Sequence, residues 1–355
     1  MREGKRVAVA MSGGVDSAIA AALLQREGHD VTGVMMALTS GASGHEPYLP
    51  HDPMFEGKIE AAHEVSRHLD IPLHVVDLQH EFEREVIAPF VQEYMRGRTP
   101  NPCIRCNRHI KFGALLQIVL ALGFDCMATG HYARIERRNG RLSLLKGLDS
   151  RKDQSYFLHT LEQSELDRLL FPLGSYRKAD ARRLAHEMGL PVWDKDDSQE
   201  VCFIPDRDYR TYLARRAPGV PGDVVDTEGR VLGRHRGVAS FTVGQRRGLG
   251  VSTGAPLYVL SVDPRSNRVV VGGERDLLAD RVWVREPTFV EGQAPREPVA
   301  VTAKIRYKST EAPGTLVSEN GRACLTFERP QRAVTPGQSV VFYVGDVVLG
   351  GGTIE

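Results

Sequence analysis

Ser12-Gly13-Gly14-Val15-Asp16-Ser17 lies between a short apolar run and a helical pattern, an arrangement suited to holding an anion. Two adjacent glycines let the backbone curl until successive N–H groups point at one place. The helix that follows adds the positive end of its dipole. Ser12 and Ser17 can donate their hydroxyl hydrogens to phosphate oxygens. Asp16 is the odd member, because a bare carboxylate repels phosphate; it is expected to act through Mg²⁺ or as a helix-start cap. No Gly-Lys-Ser/Thr follows, so this is not the lysine-bearing phosphate loop.

The second group of reactive side chains is sulfur. Thr99-Pro100-Asn101-Pro102-Cys103-Ile104-Arg105-Cys106-Asn107 places two thiols in a proline-stiffened loop, and Asp197-Ser198-Gln199-Glu200-Val201-Cys202-Phe203 carries a third. Arg105, Arg108 and Lys111 are expected to lower the pKa of the nearby thiols from about 8.5 and favour the thiolate. Either these thiols are inert or one of three chemistries fits them. The three are redox or sulfur transfer, a structural zinc site on Cys103, Cys106, His109 and Cys202, and an iron–sulfur cluster held at three corners. A resting Cys106–Cys202 disulfide is compatible with the chain but does not follow from the separation. Cys126 and Cys324 have no partner motif and read as bystanders.

Five cysteines in 355 residues are too few for a disulfide scaffold. The composition, 26% charged and 7% aromatic, is that of an ordinary globular protein. No apolar run approaches the ~20 residues that span a bilayer, and the N-terminus lacks a cleavable signal pattern, so cytoplasmic residence is the expectation. A net charge of +1 makes no case for a polyanion partner, but its distribution does. Tyr94–Phe124 has no Asp or Glu yet contains Arg96, Arg98, Arg105, Arg108, His109 and Lys111. Gly229–Val262 is likewise acid-free and carries Arg230, Arg234, Arg236, Arg246 and Arg247. Such local fields suit nucleic acid, or are solvated faces.

These groups need a scaffold, and the first 200 or so residues supply alternating patterns. Strands are expected at Arg6–Ala10, Val31–Met36, Leu73–Asp77 and Asp125–His131. Helices are expected at Ser17–Glu27 and over 57–70, 113–122, 164–170 and 177–188. Alternation of this kind makes a parallel sheet that binds ligands at its carboxyl edge, after Ala10, Met36 and Thr129. Asn139-Gly140 marks a hairpin within Arg134–Lys146. Residues 40–56 read as a flexible loop over the site. Beyond about residue 205 strands shorten and turns recur. Val299–Tyr307 alternates with a period of two, and Ala323, Leu325 and Phe327 follow the Asn320-Gly321 turn, so the end of the chain is expected to be a small antiparallel barrel.

The SGGVDS loop after a first strand resembles the PP-loop ATP pyrophosphatases, which adenylate a substrate and release pyrophosphate. With the cysteines included, the chain resembles the bacterial tRNA-specific 2-thiouridylase family over almost its whole length. The matching blocks are AMSGGVDS (10–17), GRTPNPC..CN..IKFG (97–113), ATGHYAR (128–134), GLDSRKDQSYFL (147–158), DSQEVCFI (197–204), GQRRGLG (244–250), KIRY (304–307) and TPGQSVVFY (335–343).

That resemblance implies an α/β protein with three parts. They are a Rossmann-like PP-loop catalytic domain (1–204), a small tRNA-contacting domain (205–278) and a C-terminal antiparallel β-barrel (279–355). It implies ATP at Ala10, Met11, Ser12, Gly13, Gly14, Val15, Asp16, Ser17, Met36 and Gly130, with Mg²⁺. It makes Cys106 the nucleophile and Cys202 the persulfide carrier. It places Asn101, Pro102 and Cys103 at the target base, and Lys152, Asp153, Gln154, Arg306 and Tyr307 on tRNA. The partners implied are the wobble-uridine tRNAs for Lys, Glu and Gln and a sulfur donor such as a cysteine desulfurase or a relay protein. Where many of the family carry Asp, this chain carries Cys103. That departure keeps a [4Fe-4S] cluster on Cys103, Cys106 and Cys202 open as the alternative.

Overall fold

A computed structural model describes residues 4–38, 53–196, 201–204, 208–251, 254–319 and 321–355. Most of the expected 40–56 loop, the Asp197–Glu200 part of the third cysteine block and Asn320 lie outside the described residues. Among the described residues no helix is long and apolar enough to cross a membrane.

The N-terminal sheet is parallel throughout, in the order β3-β2-β1-β4-β7. Its strands are β1 (Arg6–Met11), β2 (Asp30–Ala37), β3 (Leu73–Asp77), β4 (Cys126–Ala128) and β7 (Leu169–Leu170). Successive residues of β1 enter opposite cores: Val7, Val9 and Met11 pack on one face, Ala8 on the other. A strand covered on both sides must be apolar at every position, which is why it reads as a continuous run. The helix α1 (Val15–Arg26) is buried at Val15 and from Ser17 to Leu24, because it is wedged between the sheet and the helix Lys178–Glu187.

Two expectations fail here. The pattern at 164–170 is a one-turn helix, Gln163–Leu166, followed by the edge strand β7. Leu169 and Leu170 are too few for the sequence to separate helix from strand, and pairing with β4 decides. The proline-stiffened cysteine segment is not a loop but the start of a helical stretch running from Pro102 to Ala121. Asn101 caps it, accepting the Cys103 N–H at 3.1 Å, and Pro102 occupies the first turn, where its missing N–H costs nothing.

The expected hairpin forms as β5 (Ala133–Arg138) and β6 (Arg141–Lys146), with Asn139 and Gly140 both at positive φ. Its neighbour is remote in sequence: β6 pairs with β17 (Val347–Ile354). The C-terminal strands β12 (Leu278–Phe289), β13 (Val299–Lys304), β14 (Ala312–Glu319), β15 (Arg322–Arg332) and β16 (Ser339–Val344) join β17 in the order β12-β15-β14-β13-β16-β17. The β12–β17 pairing closes the barrel, and closure removes the exposed strand edges. Strand β13 stops at Lys304, so Arg306 and Tyr307 lie on the turn beyond it. Between the two large units, β8 (Gly222–Val225), β9 (Val231–His235), β10 (Tyr258–Asp263) and β11 (Arg268–Gly272) form a small sheet over a core that includes Val224, Phe241 and Val259.

Candidate active site

The SGGVDS loop sits at the carboxyl edge of β1, between β2 and β4. Because β2 lies on one side and β4 on the other, this is the point where the strand order reverses and an open parallel sheet leaves a crevice. Ala10 and Met11 end β1, and half-buried Met36 lies near the end of β2. Gly13 has φ +70, and a Cβ there would stand 2.4 Å from the Lys58 carbonyl oxygen, so both its conformation and its neighbour require glycine. Gly130 presses on the loop from β4: its Cβ would lie 2.7 Å from the Asp16 carbonyl carbon and 2.9 Å from the Ser17 nitrogen.

Ser17 does not face outward as a phosphate donor. Its hydroxyl donates to the Gly14 carbonyl at 3.0 Å and accepts the Ser12 N–H at 3.1 Å, which closes the loop on itself. Ser12 is exposed, with its hydroxyl 3.2 Å from that of Ser17. Asp16 is not the helix cap. Gly14 is the N-cap residue of α1, and no side chain caps it. The Asp16 carboxylate accepts from Lys178 Nζ at 2.7 and 2.8 Å and from the Tyr132 hydroxyl at 2.9 Å. This pairing removes the conflict between an acid and an anion site that the sequence left unexplained.

The thiols gather on a separate framework. Phe203 is buried in an aromatic pocket, its ring 5.6 Å from Phe82, 5.4 Å from Phe90 and 5.7 Å from Tyr212. Edge contacts of this kind contribute roughly 0.5–1.5 kcal/mol each beyond area burial. The anchor brings the adjacent Cys202 close enough for its charge to act on both Cys103 and Cys106. None of the five cysteines is in a disulfide; Cys202 and Cys103 are exposed, Cys106 buried.

The expected thiolate activation is not present. Burial pushes Cys106 up to about 12 and Cys103 up to about 11, with Lys111 pulling both down by less. Cys103 keeps exposed surface, so desolvation acts on it less completely than on Cys106. The sequence argument failed because Arg105 points elsewhere, donating to the Glu85 carbonyl at 2.7 Å. At pH 8, iodoacetamide is therefore expected to modify Cys202 first and Cys106 at least about tenfold more slowly. Peptide mass spectrometry over a time course measures this, and Cys106 reacting first would contradict the burial.

Neither metal reading fits the residues as they stand. Among the described residues no three His, Cys, Asp or Glu side chains converge on a point that could hold an ion. Burial first, and then the charges of Arg105 and Arg108, lower the pKa of His109, the fourth ligand of the zinc reading, and those two charges also repel a cation there. Asp16 is bound to Lys178.

The remaining assigned residues surround the cysteine helix. Gln338 of the barrel donates to the Thr99 carbonyl at 2.9 Å, the Thr99 N–H donates to the Pro336 carbonyl at 2.9 Å, and the Thr99 hydroxyl donates to Thr242 of the central unit at 3.1 Å. The segment before Asn101, Pro102 and Cys103 is thus held by both later units. Asn107 donates to the Phe157 carbonyl at 3.0 Å, and Tyr307 lies against the Phe157 ring with centroids 4.4 Å apart. Arg306 donates to the carbonyls of Arg332 and Ala333 at 3.1 and 3.0 Å. Asn107, Phe157 and Tyr307 therefore meet.

Lys152 is half-buried, and Gln154 accepts the Tyr132 N–H at 3.0 Å. Asp153, expected on tRNA, is buried instead: its carboxylate accepts the N–H groups of Gly147 and Ser155 and the Ser155 hydroxyl. The acid-free stretches are not free of acids in space. Glu93 pairs with Arg96 and Arg98, Glu85 lies 3.7 Å from Arg105, and Asp226 pairs with Arg230. Arg108, Arg236, Arg246 and Arg247 are exposed. Sequence reasoning gave no role to Tyr132, although it lies in the 128–134 block, and Lys178 carried no motif at all.

Three family models match in order. They are a tRNA methyl transferase HUP domain over residues 5–206, a tRNA methyl transferase PRC-barrel domain over 210–273 and an aminomethyltransferase β-barrel domain over 279–354. The chain is 48% identical to the tRNA-specific 2-thiouridylase MnmA of Moorella thermoacetica, over 98% of each chain. It is 47% identical to that of Syntrophotalea carbinolica, over 99% of each, and 44% identical to that of Clostridium perfringens, over 99% of this chain and 98% of the other. With strand β1, its glycine loop and the three cysteines in the places described, the chain belongs to the tRNA-specific 2-thiouridylase family.

Proposed function

We propose that this protein is an ATP-dependent tRNA sulfurtransferase that replaces the C2 oxygen of the wobble uridine by sulfur. The observation that carries the reading is that the Phe203 anchor holds Cys202 near enough to act on Cys103 and Cys106, in a chain that also carries the glycine loop at the carboxyl edge of β1. Relatives 44–48% identical over nearly the full chain are named tRNA-specific 2-thiouridylase.

A urea-like carbonyl oxygen leaves poorly, so it is first made part of a better leaving group. The uridine O2 attacks the α-phosphorus of ATP, the bond to the β-phosphate oxygen breaks, and pyrophosphate departs. Loop N–H groups and the start of α1 stabilise the charge that develops on the phosphates. The terminal sulfur of a Cys202 persulfide then attacks C2, and the C2–O bond breaks with AMP as leaving group. Cys106 attacks the Cys202 sulfur, the S–S bond to the new thiouridine breaks, and a Cys106–Cys202 disulfide remains. A dithiol reductant reopens that disulfide, and an external sulfur donor reloads Cys202. Burial raises the Cys106 pKa, which favours its thiol form in the resting protein. The target base leaves the anticodon stack to reach the site, at a cost of a few kcal/mol.

Purified protein given ATP, an unmodified tRNA transcript and a persulfide-generating sulfur source is expected to release pyrophosphate. The transcript should gain the mass of one oxygen-for-sulfur exchange, located by nucleoside mass spectrometry. Absence of pyrophosphate release under these conditions would refute the reading.

A further inference from the structure

Asn107 follows Cys106 directly, and both are buried in the first turn of a π-helical stretch, Cys106–Leu115. Wide turns of this kind recur at functional sites. Asn107 is 2% exposed, and its side-chain amide is satisfied at one end only. Nδ2 donates to the Phe157 carbonyl at 3.0 Å, whereas Oδ1 has no partner. A carbonyl oxygen can only accept, so the end facing Phe157 is the NH₂ group and the open end is the acceptor. Of the buried side-chain atoms without a partner among the described residues, this one alone lies in a cysteine block. An acceptor taken out of water and left unpaired is costly, and in a native protein it calls for a ligand or a bridging water.

Its surroundings favour the ligand. The Phe157 residue that holds Asn107 has its ring 4.4 Å, centroid to centroid, from that of Tyr307. A thiol, an open acceptor and an aromatic pair thus adjoin, the parts that hold an unstacked base by its edge and its face. We propose that Asn107 is a specificity-determining residue that reads the target base, its Oδ1 accepting the N3–H of uridine. N3 adjoins C2, the atom where sulfur arrives, so a side chain next to Cys106 is suited to meet it. Cytidine presents a bare N3 lone pair to the same oxygen; two acceptors repel, and the base is refused. The oxygen is closed to solvent in the substrate-free chain, so the base reaches it by displacing what covers it. The proposal rests on the wobble-uridine reading and adds to it the residue that tells uridine from cytidine.

The test uses the full chain, ATP and a persulfide-generating sulfur source with two tRNA transcripts, one with U and one with C at the wobble position. Nucleoside mass spectrometry measures kcat/KM for each. The parental protein is expected to prefer U by at least about 10³-fold. Asn107→Leu is expected to lower kcat/KM for U at least about 10²-fold and to change C by less than about twofold, so the preference collapses. Asn107→Asp keeps the size and an acceptor, and is expected to hold a preference at least about tenfold above that of Asn107→Leu. An undiminished preference in Asn107→Leu would overturn the proposal. Equal losses on both transcripts would overturn it as well, marking only a disturbed helix beside Cys106. If Asn107→Leu fails to fold, so that iodoacetamide reaches the buried Cys126, Asn107→Asp decides: a retained preference supports the proposal and a lost one overturns it. A parental protein that thiolated neither transcript would instead overturn the functional reading, a result distinct from any change confined to the variants.

Discussion

Cys202→Ser is expected to lower sulfur transfer to tRNA by at least about 10³-fold, with pyrophosphate release and tRNA affinity each kept within about twofold. A serine oxygen cannot carry the terminal sulfur of a persulfide, so the loss is chemical and not a matter of fit. The structural cost is small, because Cys202 is exposed and the neighbouring Phe203 keeps its pocket of Phe82, Phe90 and Tyr212. Nucleoside mass spectrometry, a coupled pyrophosphate assay and filter binding, run on one preparation, separate the three quantities. Thiolated product at the parental rate would end the persulfide assignment. Loss of tRNA binding would mean that the 201–204 segment holds RNA instead of delivering sulfur.

Gly130→Ala is expected to cut pyrophosphate release by about 10²-fold, because a misplacement of about 1 Å in a positioning element can cost that much. In barrier terms this is roughly 2.7 kcal/mol. The added methyl would stand 2.7 Å from the Asp16 carbonyl carbon and 2.8 Å from its Cβ, inside the distance real Cβ contacts adopt. Asp16 and Ser17 must move, and with them the Ser17 bonds that close the loop and the carboxylate that holds Lys178. Gly57→Ala is the matched control: it has nothing within 4 Å, and as a helical residue it gains from the change. The pyrophosphate assay with saturating tRNA measures both variants. Equal rates would mean that the close approach of Gly130 does not set the loop.

The two variants act on steps that the structure keeps on different elements. The nucleotide loop depends on β1, α1 and the approach of β4, whereas the thiols depend on the Pro102–Ala121 helical stretch and the Phe203 anchor. The contact of Gln338 and Pro336 with Thr99 makes the barrel part of the thiol framework, although no barrel residue carries chemistry.

Patterns that are local in the chain were legible in the sequence. A strand buried on both faces must be apolar throughout, so β1 and β2 announce themselves. Glycine pairs and Asn-Gly steps name their turns through the φ values they alone tolerate, so the SGG loop and the β5–β6 hairpin were readable. Strict alternation marked the barrel strands. Interactions between distant residues were not legible. Nothing near Asp16 signals Lys178, and nothing in the hairpin tells that its partner is β17. The electropositive setting assigned to Cys103 and Cys106 failed for the same reason. Charge adjacency along a chain predicts a pKa only where side chains point alike, and folding turned Arg105 toward Glu85 while it buried Cys106. Desolvation and ion pairing are properties of three-dimensional neighbourhoods, and only the tertiary structure fixes those.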